Sequence, residues 1–137
     1  RAYPSPTPAL RPPGSPRHHL YVVVADVRPD GSSYPVATGA LRTAFPIVER
    51  SHSLTDRTGR IVDPYNNFTT RKTAPLGAMR RYQVELLPIG NHFAAGHRIR
   101  LYFVGTPVDQ LPSPPGLNTV RLGGVAASRL LLPRVNR

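Results

Sequence analysis

The clearest apolar pattern in the chain is HLYVVVADV, where Leu20 to Val24 form a continuous, largely β-branched run and Ala25, Asp26 and Val27 then alternate. Such a run predicts a strand with most of both faces buried. It ends at Arg28-Pro29-Asp30-Gly31, which places Pro where φ must be preset, then Asp and Gly, the residue order of a type I turn. Tyr34 to Phe45 carries Val36, Thr38, Leu41 and Thr43 and predicts a second strand, pairing antiparallel with the first through that turn. Gly39 breaks its alternation, where a bulge or a close approach of another backbone is expected.

Further along, residues 46–79 are dense in turn formers such as Asp56, Gly59, Asp63 and Asn66, and read as a long loop with one or two short strands. Arg80 to Leu87 places Tyr82, Val84 and Leu86 on one face and Arg81, Gln83 and Glu85 on the other, which predicts a strand with one wet face. His97 to Val104 alternates most regularly, with Ile99, Leu101 and Phe103 opposite Arg98, Arg100 and Tyr102. After a loop over residues 105–116, Asn118 to Leu122 and Arg129 to Leu132 are two short candidate strands. Short strands and turns without a helical period point to an all-β antiparallel sandwich or barrel.

Composition narrows this picture. The chain has 137 residues, the size of one domain, with 17 Pro and 11 Gly that disfavour long helices. Six prolines among residues 1–17 mark a disordered tail or linker, leaving 18–137 as the folded unit. A first residue of Arg rather than Met suggests a fragment or a processed product. No apolar run is long enough to span a membrane, no signal peptide is expected in this chain because its first residues lack an apolar centre, and the absence of Cys leaves the compartment open, whether cytoplasmic or secreted. The net charge of +11 invites a nucleic-acid reading, but the arginines are scattered and no aromatic platform accompanies them. A nucleic-acid partner is therefore not expected, and neither is a membrane partner.

Candidate chemistry is sparse. No Gly-x-Ser-x-Gly elbow is present, so no serine is marked as a nucleophile. The five histidines match no metal spacing, and no metal or other cofactor is expected. Asp26 stands out in an apolar strand. Half-buried carboxylates need a partner, and a strand arginine such as Arg42, Arg98 or Arg100 is the expected one. His97 is expected to bond a loop carbonyl at the entry to its strand.

Four motifs in order add a resemblance. Ala25 to Gly31 (ADVRPDG), Thr38 to Arg42 (TGALR), Phe93 to Leu101 (FAAGHRIRL) and the closing Asn118-Thr119-Val120 with Ser128 to Pro133 resemble the C-terminal domain of X-Pro dipeptidyl-peptidases and cocaine-esterase-like serine hydrolases. The resemblance implies a jelly-roll, galactose-binding-like β-sandwich that packs on an α/β-hydrolase domain, in the same chain or a separate one. It would help to shape the substrate cleft of that domain without supplying the Ser-Asp-His triad. It also implies structural roles for Asp26, Pro29, Asp30, Gly31, Gly39, Arg42, Gly96, His97, Arg98 and Arg100. Family members have one or two strands before the position of Leu20, so the sandwich is expected to be incomplete at its N-terminal edge, with self-association through that edge as one consequence. An independent carbohydrate-binding module is the alternative, though the lack of Trp weighs against it, and an arginine-rich nucleic-acid binder ranks behind that.

Overall fold

A computed structural model of the chain describes residues 19–75, 77–105, 118–125 and 128–133. The apolar run folds as β1 (His19–Val27), which turns into β2 (Ser33–Arg42). Two short strands follow, β3 (Leu54–Thr55) and β4 (Ile61–Asp63), and then β5 (Arg98–Val104). The longer strands form an antiparallel sheet in the order β2-β1-β5, and β3 pairs with β4 in a second, small antiparallel sheet. Among the described residues there is no helix, and none long and apolar enough to cross a membrane. The chain is all-β, in keeping with a β-sandwich. The tail proposed for residues 1–17 and most of the loop at 105–116 lie outside the described residues.

β1 is central because its sequence allows both faces to be covered. Val22, Val24, Ala25 and Val27 are buried, joined from β2 and the turn after it by Val36, Leu41 and Ala44. Burying a side chain such as Leu41 or Val24 contributes roughly 1.5–3 kcal/mol relative to leaving it in water. The β1–β2 turn closes with Gly31 N donating to Arg28 O at 3.0 Å and Arg28 N donating to Ser32 O at 2.8 Å. Gly31 takes a φ of 86°. This is the three-residue hairpin in which a type I turn is followed by a left-handed residue. β3 and β4 are joined in the same way, through Gly59 N to Asp56 O at 2.9 Å and Asp56 N to Arg60 O at 2.9 Å.

The bulge of the β1–β2 pair lies away from Gly39. Val24 pairs with Ala37 and Ala25 with Pro35, so Val36 is the extra residue. Pro35 has no N–H for the ladder, and that is where the register slips. Gly39 serves the other expected purpose, a close backbone approach. A Cβ there would overlap the Glu85 carbonyl oxygen and lie 3.1 Å from Leu86 Cδ2.

Three strand expectations are not met. Tyr82, Val84 and Leu86 are half-buried and alternate with exposed neighbours, yet residues 80–87 form no ladder. Their backbone meets β2 through Leu87 N and Thr38 O at 2.9 Å, and Arg80 is turned onto the carbonyls of Lys72 and Thr73. The segment touches β2 at Thr38 and Gly39 without forming a ladder with it. The described residues of 118–133 also form no strand; Ser128 binds Arg121 O through its N–H at 3.2 Å and its hydroxyl at 2.9 Å. Alternation was correct in the first of these segments, but alternation says which face is wet, not whether a neighbouring backbone lies in reach.

Candidate functional site

At the hairpin end of the sheet the chain gathers most of its distinctive residues. Asp26 lies on β1 with its side chain 1% exposed, and His97, which is 19% exposed, precedes β5. His97 Nδ1 lies 2.9 Å from Asp26 Oδ1. This corrects two expectations: the partner of Asp26 is a histidine rather than an arginine, and the His97 ring bonds a carboxylate rather than a loop carbonyl.

Strand geometry gives the reason. Asp26 pairs with Ile99 across β1 and β5, while Arg98 and Arg100 pair with Val27 and Ala25. Paired residues share a face and successive residues alternate, so the two arginines point away from Asp26. His97 stands two residues before Ile99 and falls on the aspartate's face. Arg42 pairs with His19 at the far end of β1, roughly 23 Å away at about 3.3 Å per residue.

The two turns at this end touch. Gly96 holds a φ of 81°, in a turn closed by His97 N donating to Ala94 O at 3.0 Å. The position a Cβ would occupy on Gly96 lies 3.5 Å from Pro29 Cγ. In the other turn, Asp30 Oδ1 accepts from Ser32 Oγ at 2.7 Å and Ser32 N at 2.9 Å. These bonds, led by that of the Ser32 hydroxyl, hold the Asp30 carboxyl below its ordinary pKa. Asp26, Pro29, Asp30, Gly31, Gly96 and His97 are thus brought to one end of the sheet, whereas Gly39 and Arg42 are not.

On the opposite face of β5, exposed Arg98 and Arg100 follow one another at alternate positions, with Tyr102 next in line. Tyr102 Oη accepts from Arg100 Nη1 at 3.2 Å and lies 3.5 Å from Ser33 Oγ. The Ser33 hydroxyl first, and the bond and charge of Arg100 after it, lower the phenol's pKa. Arg42 lines an open cleft of about 230 Å³ with His19, Tyr21, Leu41 and Phe68. Sequence reading gave no sign of Phe68 there, because the excursion over residues 46–79 brings it back only in three dimensions.

Among the described residues the arrangement forms no nucleophilic centre. Among the described residues no serine hydroxyl is bonded to the His97 ring. The nearest serine–histidine–carboxylate grouping is elsewhere, at Ser51, His52 and Glu49. There Ser51 Oγ at 3.4 Å and Glu49 Oε2 at 2.9 Å both address the same nitrogen, His52 Nδ1. A base that relays a proton needs the acid on one ring nitrogen and the nucleophile on the other. Glu49 instead ties its loop together, accepting from Asn67 Nδ2 and, through its carbonyl, from Ser53 Oγ at 2.7 Å. No group of three or more potential metal ligands occurs among the described residues.

Comparison with known proteins identifies the family of the domain. The pattern that defines the X-Pro dipeptidyl-peptidase C-terminal non-catalytic domain matches residues 13–128. The chain belongs to this family. Among curated proteins it is similar to a "Putative serine esterase" of Mycobacterium bovis and one of Mycobacterium tuberculosis, each 33% identical over 119 residues that make up 83% of this chain. The same stretch is 18% of each relative, so the chain spans less than a fifth of the length of the curated proteins it matches. No solved structure matches the chain significantly. As a member of a non-catalytic domain family, it carries Asp26 and His97 as parts of a domain that in these relatives accompanies a much longer chain.

Proposed function

We propose that residues 18–137 are the accessory β-sandwich, of jelly-roll type, of an X-Pro dipeptidyl-peptidase or acyl-ester serine hydrolase. In this reading the domain packs on an α/β-hydrolase domain and shapes its substrate cleft, while the nucleophile, its base and its acid lie in the other domain. The observation that carries the reading is the family match over residues 13–128. It is supported by the greater length of relatives named as serine esterases and by an Asp26–His97 pair that joins β1 to the turn before β5.

A chimera tests it. In the Mycobacterium tuberculosis relative, the aligned residues are replaced by this chain, and turnover of a p-nitrophenyl ester is compared with that of a version lacking the segment. The expected result is a soluble hydrolase that reacts with a fluorophosphonate outside these 137 residues and has a KM distinct from that of the truncated form. A truncated form that is soluble with unchanged kcat and KM would show that the domain neither packs on the catalytic unit nor shapes its cleft.

A further inference from the structure

β5 is an edge strand among the described residues, bonded to β1 on one side. An edge of this kind presents a row of N–H and C=O groups ready to pair with another extended chain. Its two faces differ sharply in chemistry. One carries Arg98 and Arg100, both exposed, and neither forms an ion pair with a carboxylate among the described residues. The other carries Ile99, which is 45% exposed, and Phe103, which is 41% exposed, with half-buried Leu101 between them.

We propose that the outer edge of β5 is a docking strand for an extended segment carrying acidic residues at alternate positions with apolar residues between them. Added beside Arg98–Val104, such a segment places its carboxylates across from Arg98 and Arg100, and its apolar side chains against Ile99 and Phe103. Opposite charges and apolar pairs facing across neighbouring strands stabilise a sheet, and strand addition of this kind is a general mode of peptide recognition. Charge selects the occupant. A second copy of the chain pairing at this edge gathers four arginines on one face without a carboxylate between them, and two chains of net charge +11 repel. An acidic segment meets neither obstacle.

The segment's source is the remainder of the longer protein, and to that extent the inference rests on the accessory-domain reading. The edge itself is testable without it. A fluorescein-labelled six-residue peptide alternating Glu and Val is titrated into the full 137-residue chain, alongside a Lys/Val peptide and a Glu/Val peptide N-methylated on alternate residues. The Glu/Val peptide is expected to bind at least tenfold more tightly than either control, and to weaken as salt rises. The double variant R98A/R100A should lose at least tenfold of that affinity with an unchanged melting curve. R57A/R71A, which removes two arginines elsewhere, should not. Equal binding of the acidic and basic peptides, equal binding of the N-methylated peptide, or undiminished binding by R98A/R100A overturns the proposal. The chimera reports separately: a KM effect that survives R98A/R100A removes the edge from the account and leaves the accessory role, whereas acidic-peptide binding without any chimera effect does the reverse.

Discussion

His97 Nδ1 sits 2.9 Å from Oδ1 of Asp26, a carboxylate that is almost wholly buried in the central strand of the main sheet. The contact joins residues 71 apart in sequence. It ties β1 to the turn that launches β5, next to the place where Gly96 and Pro29 meet. With 1% of its side chain exposed, the aspartate takes its hydrogen bond from that ring.

The first prediction concerns this pair. Removing one partner of a buried pair leaves the other uncompensated, which costs about 3–5 kcal/mol. His97→Ala should therefore lower Tm by roughly 10–20 °C in a thermal melt followed by circular dichroism. Adding Asp26→Asn to that variant removes the stranded charge and should recover part of the loss. A double variant no more stable than His97→Ala alone would show that the carboxylate charge is not what the ring compensates.

Gly39 gives the second. Alanine there drives a methyl group into the Glu85 carbonyl, and overpacking of this sort typically costs about 1–3 kcal/mol. Hydrogen exchange should show faster loss of protection at the Leu87 amide, which bonds Thr38 O. A Gly39→Ala protein with wild-type exchange at Leu87 would mean the segment does not press on β2.

Gly96→Val is the third. The residue holds a φ of 81°, a region that costs an L-residue roughly 1–2 kcal/mol and a β-branched one at least that. Space is not the obstacle, since the nearest atom to a Cβ is at ordinary contact distance. A fall in Tm of several degrees is expected; an unchanged Tm would show that the turn can take another conformation at no cost.

These positions also show how far the sequence could be read. β1, its turn and β2 were legible because local chemistry decides them: a β-branched run, Pro-Asp-Gly, and a second apolar strand within reach. β5 was legible from alternation within one residue of its start. Residues 80–87, 118–122 and 129–132 were not, since ladder formation depends on a partner that the segment itself does not encode. The partner of Asp26 was misread through attention to charge alone. The alternation of Ile99, Leu101 and Phe103, extended back two residues, places His97 on the aspartate's face and sends Arg98 and Arg100 to the other.

The fourth prediction is a pH dependence in the β3–β4 hairpin. The Asp56 carboxyl is lowered to about 2 from 3.8, first by the Thr58 hydroxyl and then by the Arg60 backbone N–H. A carboxylate depressed in the folded state adds stability that is present in full above its unfolded pKa and lost as pH falls through the folded value. Carbon-detected NMR titration should give a midpoint near the lower figure, with the Thr58 and Arg60 amides shifting in the same range. A midpoint at 3.8 would mean that those bonds do not hold in solution.

In the proposed role this domain sits beside a catalytic centre and does not contain one. The most direct test is exposure of the purified, folded 137-residue chain to a fluorophosphonate probe, read by intact mass, together with release of p-nitroaniline from an X-Pro substrate. An unmodified mass and no turnover are expected. Stoichiometric labelling of a single serine, with turnover, would contradict that role.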